Sequence, residues 1–424
     1  MDRDVNRAID AVWRIESARL IAGLARIVRD IGLAEDLAQE ALVAALEQWP
    51  ASGVPDRPGA WLMAVARHRS VDRIRRAAIH ERKLQELGHA TQLREEADGT
   101  ELDTAMDDPF DDDLLRLIFT ASHPLLSLDA RVALTLRLLG GLTTTEIARA
   151  YLVPESTVAQ RIVRAKRTLS EADVPFEVPG REDLDARVAS VLEVIYLIFN
   201  EGYAASSGER WMRPELMEEA LRLGRMLAQL LPGESEVHGL VALMELQASR
   251  ALARTGPRGE AVLLSDQDRT RWDWLLIGRG LAALERAETT TRAQGPYTLQ
   301  AAIAACHARA RKPEDTDWRR IVTLYDALLL LNPSPVIALN RAVAVGMASG
   351  AHEALVLVDA LRDEPALKDY HLLPAVRGDL LAKMGRNREA IADFTRAVSL
   401  TTNTREQTVL QARISACESA ESGA

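Results

Sequence analysis

Residues 143–169, TTTEIARAYLVPESTVAQRIVRAKRTL, restrict the fold more than any other stretch of the chain. A first helix carries Glu146, Ile147 and Ala148, with Ile147 and Tyr151 spaced to pack inward. Leu152 and Val153 make a turn, and Pro154 suits the first position of a second helix, where its missing N–H costs nothing. On that helix Val158, Ile162 and Ala165 form the buried stripe, which turns Ser156, Thr157, Gln160, Arg161 and Arg164 outward, with Lys166 and Arg167 adding charge. This is the pattern of a helix-turn-helix, whose second helix lies in the major groove of DNA. An amphipathic hairpin with a solvated basic face fits the same residues equally well. What lies upstream decides between them.

The chain has 424 residues, enough for two or three domains, and is rich in Ala, Leu, Arg and Glu but only 4% aromatic. That balance favours an all-α architecture. The opening Met-Asp-Arg-Asp has no apolar stretch behind it, so no secretory signal is expected, and no apolar run is long enough to span a bilayer. Cys306 and Cys417 are the only cysteines and lack metal-ligand spacing, which implies a reduced, cytoplasmic protein without a disulfide framework. A net charge of −10 argues against a free-standing nucleic-acid binder, yet the charge is segregated. Residues 84–129 hold 2 Lys/Arg against 12 Asp/Glu, whereas residues 130–169 hold 7 against 2. Local field, not net charge, steers binding.

Residues 32–50, GLAEDLAQEALVAALEQWP, form an amphipathic helix with Leu37, Ala41, Ala44, Ala45 and Trp49 on one side. Its other side carries Glu35, Asp36, Gln39, Glu40 and Glu47, a face suited to a basic protein surface or simply to water. After a Pro/Gly loop comes GAWLMAVARHRSVDRIRRAAIHERK, in which Arg67, Arg69, Arg73, Arg75 and Arg76 would make several phosphate contacts at once. Trp61 at its start can stack on bases of an opened duplex or serve as core; Asp72 is spaced to hold Arg69 or Arg76.

These blocks, AEDLAQEAL…RPGAWLMAVARHRSVDRIRR followed by LSLDARVALTLRLLGGLTTTEIARAYLVPESTVAQRIVRAK, resemble regions 2 and 4 of a bacterial sigma factor of the extracytoplasmic-function group. The two motifs in this order, joined by a polar linker, are far more specific than either alone, and they cover about the first 170 residues. The resemblance implies that Asp36, Gln39 and Glu40 dock on the β′ clamp helices of core RNA polymerase. It implies that Trp61, Arg67, Arg69, Arg73, Arg75 and Arg76 melt and hold the −10 element, with residues 53–59 capturing a flipped base. It makes Ser156, Thr157, Gln160, Arg161, Arg164 and Arg167 the reader of the −35 element, in a region 4 domain that also meets the β flap. Gln160 and Arg161 are able to make bidentate contacts to A and G. Many relatives carry Arg-Asn where this chain has Arg67-His68, which leaves a −10 contact at His68 open.

The expected domains are region 2 (1–83), a flexible acidic linker (84–113), region 4 (114–173), a helical domain (180–310) and tetratricopeptide-like repeats (311–420). The linker either imitates nucleic acid near the RNA exit path, as the resemblance implies, or is a solubilising spacer. A minimal member of the group would stop soon after Leu169, but here Pro175 and Pro179 mark a boundary and over half of the chain follows. In that half Ala342, Ala354, Val358 and Leu361 align with Gly378, Ala390, Phe394 and Ala397 at an offset of 36. Small residues at such crossing points are the logic of tetratricopeptide helix pairs, with YDALLLLNP (325–333) as the second helix of a preceding unit. Stacked repeats offer a concave surface to a peptide, a protein segment or the chain's own first half.

Two polar clusters between these parts, Asn200, Glu201, Tyr203 with Ser206-Ser207-Gly208, and Asp266 to Asp273, are expected to be helix ends, caps and salt bridges. Gly278-Arg279-Gly280 lacks the strand of a phosphate loop, and no catalytic or metal-binding constellation emerges. The sequence therefore points to a non-enzymatic sigma factor without cofactor or membrane contact, controlled by its own extension in place of a membrane-bound anti-sigma factor. The alternative is a stand-alone helix-turn-helix regulator with a repeat sensor, which would have no use for Asp36, Gln39, Glu40 and Trp61.

Overall fold

Eighteen α-helices and five short 3-10 turns, with no strand, make up the described residues of the computed structural model: 2–87, 110–203, 212–256, 262, 264–290, 294–401 and 404–422. They divide into two units, Met1–Ile198 and Phe199–Ala424.

In the first unit α1 (Asp2–Val28) packs on α2 (Ile31–Ser52) and α3 (Pro58–Leu87). Ile9, Trp13, Ile21 and Leu24 of α1 meet Leu37 and Trp49 of α2 and Leu62 of α3 in a buried core. Asp30 caps α2 by accepting from the Leu33 N–H at 2.7 Å. Gly53 ends it at a φ of 81°, a conformation open to glycine, donating to the Trp49 carbonyl at 2.9 Å.

The second half of this unit begins with α4 (Phe110–Ala121), which packs on α1. The acidic linker was expected to reach residue 113, but the helix already includes Phe110 to Asp113. Acidic residues at a helix N-terminus suit its dipole, and Asp113 is buried against Arg26 (2.9 Å) and Arg116 (2.8 Å). Burial nevertheless lifts its carboxyl above the ordinary range, against the pull of both arginines. The flexible tether expected for the intervening residues lies, over 88–109, outside the described residues. Next come α5 (Leu128–Leu138), α6 (Thr144–Tyr151) and α7 (Glu155–Glu171), with α5 and α6 both packed on α7. Helix α8 (Arg181–Tyr203) starts beyond the two prolines that mark the boundary in the sequence. Its Ser190 donates to the Ser122 carbonyl at 2.6 Å, and Arg131 of α5 reaches Ser190 and Glu193 at 2.6 and 3.0 Å.

In the second unit α9 (Pro214–Leu230), α10 (Ser235–Ala248), α11 (Trp274–Thr289) and α12 (Pro296–Arg309) surround an apolar centre. Helix α10, SEVHGLVALMELQA, lacks a polar face and is buried nearly all round. Gly239 lets α12 approach, because a Cβ there would stand 2.4 Å from Thr298 Oγ1. Glu236 of α10 accepts from the Tyr297 and Thr298 N–H groups (2.8 and 3.0 Å) and so caps α12.

The remaining helices, α13 (Trp318–Leu331), α14 (Pro335–Ala348), α15 (Ala351–Asp359), α16 (Leu372–Lys383), α17 (Asn387–Leu400) and α18 (Thr404–Ser422), each pack on the next. Ala342, Ala354, Ala390 and Ala397 are fully buried, and a Cβ on Gly378 would meet the Phe394 ring at 2.8 Å. The 36-residue offset thus corresponds to successive helix pairs with small residues where they cross. Arginines recur at the same offset. Arg341 pairs with Asp326 (2.5 Å), Arg377 bridges Asp359 and Asp393 (both 2.6 Å), and Arg413 binds Asp379.

Candidate nucleic-acid interface

Thr143 starts α6 with a reciprocal cap. Its hydroxyl accepts from the Glu146 N–H at 3.1 Å, and the Glu146 carboxylate accepts from the Thr143 N–H at 2.8 Å. Leu152 ends α6 in the left-handed region (φ 51°), its side chain exposed at the turn. Pro154 is the N-cap of α7 and not its first helical residue, because its extended ψ of 142° keeps it just outside the helix. Val158, Ile162, Ala165 and Leu169 are buried, and they orient the rest of α7.

At about 100° per residue, Gln160 and Arg167 lie within about 10° of the line opposite that stripe, and Ser156 about 30° from it. Val163 and Arg164 flank the line at about 50° on either side, Thr157 lies at about 70°, and Arg161 at about 110°. Arg161 is accordingly on the flank, tied at 2.7 Å to Asp129 of α5. Arg167 meets Glu171 at 3.4 Å, largely in solvent. Arg164 has no carboxylate partner among the described residues. The outward face thus presents Ser156, Gln160, Val163, Arg164 and Arg167.

Lys166 points the other way, to Glu35 on α2, whose second oxygen takes the Arg137 Nε–H at 2.5 Å. Glu35 is 5% exposed, and the two cations 21% each. Burial pushes the Glu35 carboxyl up, and the Lys166 and Arg137 charges outweigh it, leaving it below the ordinary carboxylate range.

Asp36 lies exposed on the outer face of α2, with Gln39 and Glu40 half-buried beside it. Glu40 is bridged to α3: Arg69 approaches its carboxylate at 3.4 Å and donates to its carbonyl at 2.8 Å, and Arg73 stands at 3.3 Å. Trp61 is half-buried and edge-on to Trp49, with ring centroids 5.3 Å apart at 64°. Along α3, Arg67 is half-buried while His68 and Arg73 are exposed. The side chains of Asp72, Arg75 and Arg76 lie outside the described residues.

A sigma-70 region 2 model matches residues 15–79, and a sigma-70 region 4 model matches residues 116–169, the segments that contain these two faces. The probable ECF RNA polymerase sigma factor SigI of Mycobacterium tuberculosis is 30% identical over 170 residues, which are 40% of this chain and 57% of that protein. The chain carries sigma-70 regions 2 and 4, in that order. This sigma factor also carries a C-terminal extension, of which residues 187–288 match a family of unknown function, DUF6596. An uncharacterised protein of Rhizobium meliloti (strain 1021) is 44% identical over 400 residues, 93% of this chain and 92% of that protein. No solved structure matches the chain.

Elsewhere in the sigma factor, the polar clusters of the extension act as caps and braces. Asp268 accepts from the Thr270 N–H, and Asp273 caps α11 through Leu275 and Leu276. Arg269 is buried and donates to the His307 and Ala310 carbonyls, while Glu201 pairs with Arg213. Ser206, Ser207 and Gly208 lie outside the described residues, and Gly278 to Gly280 sit within α11. Among the described residues no His/Cys/Asp/Glu group could hold a metal, and no helix is long and apolar enough to cross a membrane. Cys306 and Cys417 are buried free thiols. Sequence reasoning missed Val163 on the α7 face and Glu35 as the partner of Arg137 and Lys166. The first was legible in the helical spacing itself; the second depends on tertiary packing and left no local signal.

Proposed function

We propose that this sigma factor grips promoter DNA at two points while bound to core RNA polymerase, which performs the chemistry. Helix α7 reads the −35 duplex through Ser156, Gln160, Arg164 and Arg167, with Thr157 and Arg161 at the margins. Helix α3 holds the −10 strand through Arg67, Arg69, Arg73, Arg75 and Arg76, with Trp61 buttressed by Trp49 at the site of melting. Asp36, Gln39 and Glu40 dock on the β′ clamp helices, region 4 meets the β flap, and the extension governs when the grip is used. The observation that carries this reading is the division of labour between two helices. Helix α7 presents a polar and basic row opposite its buried stripe, while α2 presents acid on a separate face.

The test is in vitro transcription with core polymerase on a genomic promoter library, using the full chain and a form ending after residue 198, which keeps the first unit whole. The full chain should select a restricted set of promoters sharing −35 and −10 elements, and the truncated form should lose that activity. A more active truncation would make the extension an inhibitor. Asp36→Lys should weaken pull-down of core polymerase; undiminished capture would remove the docking assignment.

A further inference from the structure

Val163 is the one large apolar side chain on the outward face of α7, and it is 65% exposed. Nothing in the fold needs it there: the buried stripe is complete without it, and a β-branched residue slightly weakens a helix. It stands one turn from Gln160, next to Arg164 and one turn from Arg167, so its immediate surroundings are polar and cationic. A face of that charge fits a polyanion, and an apolar side chain flanking its centre line gains from an apolar contact within that polyanion. In the major groove a base edge offers one such group, the C5 methyl of thymine.

We propose that Val163 is a specificity-determining residue that reads a thymine methyl in the −35 element, between the bases contacted by Gln160 and Arg164. This rests on the reading of α7 as the −35 helix. Gln160 and Arg164 then supply hydrogen bonds to base edges or phosphates on either side, and Val163 adds discrimination that hydrogen bonding alone does not give. Because the contact removes a methyl and a valine side chain from water without forming a bond, its worth is modest and confined to one base pair.

The experiment uses holoenzyme assembled from the full chain and core polymerase, on a promoter selected from the genomic library. Each thymine of the −35 element, on either strand, is replaced in turn by deoxyuridine, which deletes only the methyl. At one position the replacement should weaken promoter binding about fourfold, the worth of one buried methyl. In Val163→Ala the same replacement should have no effect, and thymine and deoxyuridine promoters should bind alike. The contact is refuted if no position is sensitive, if the sensitivity survives in Val163→Ala, or if the selected elements contain only G·C pairs. Arg164→Ala separates the two levels. If it alters −35 preference while Val163→Ala does not, α7 reads DNA without the methyl contact. If neither alters it, α7 is not the reader at all. Val163 is mostly in solvent, so the alanine variant keeps the fold.

Discussion

Glu35→Gln tests the physical account of how α2 is held against region 4. The wild-type carboxylate is 5% exposed and answers two cations, Arg137 and Lys166, that are themselves only 21% exposed. Removing one member of a buried pair costs about 3–5 kcal/mol, because the remaining charge stays desolvated. Here Arg137 keeps its bond to the Leu142 carbonyl (3.2 Å), and both cations can gain some water, so about 2 kcal/mol is expected. Hydrogen exchange followed by mass spectrometry on the full chain localises the effect: amides of α2 and α7 should exchange about 30-fold faster. In a Lys166→Met background the same substitution should cost clearly less, since the shared partner is gone. The pH dependence has a fixed sign. The folded Glu35 carboxyl lies below its ordinary value of 4.5, so its stabilisation is fully present above that pH and is lost as pH falls through the lower folded value. Unchanged exchange in α2 and α7, or an equal cost with and without Lys166, would refute the reasoning.

Other outcomes follow from single features. Leu152→Val should destabilise region 4 by about 1 kcal/mol, since β-branched side chains resist a positive φ, while Leu152→Gly should not; thermal denaturation distinguishes them. His307 is held neutral by burial and by Arg250 and Arg269, with its pKa down at about 4. A depressed histidine is stabilising above its ordinary 6.5, so extension stability should fall by about 3 kcal/mol as pH drops from 6.5 to about 4, and His307→Gln should flatten that slope in urea titrations. Gly378→Val should cost about 2 kcal/mol or more in urea unfolding, because the Phe394 ring occupies the space of the added Cβ.

How much could be read beforehand depended on the range of the interaction. The buried stripe of α7, the turn and the reciprocal cap TTTE are local, and spacing shows them within a dozen residues. The repeat offset was visible because Ala342, Gly378, Ala354 and Ala390 must be small wherever helix pairs cross. Helix α1 went unassigned although Ile9, Trp13, Leu20 and Leu24 recur at helical spacing, since no motif drew attention to it. Asp113 read as part of an acidic linker because its partner Arg26 lies 87 positions away in the chain, and the pairing of Arg161 with Asp129 left no local signal because Asp129 is on another helix. Charge predicts a partner, but only packing says which one.

The arginine ladder of the extension has a practical consequence. Each rung joins residues on different helices: Arg341 with Asp326, Arg377 with Asp359 and Asp393, and Arg413 with Asp379. A chain ended after Leu400 strands Asp379 and strips the cover from Phe394, and one ended after Ala348 leaves Leu339 and Ala342 without the core they share with Ala354, Val358 and Leu381. Stepwise shortening would therefore report on a broken scaffold, whatever it did to transcription. The repeats are to be kept or removed together, and a cut that spares the first unit leaves it the part of α8 whose Ser190 and Glu193 hold Arg131.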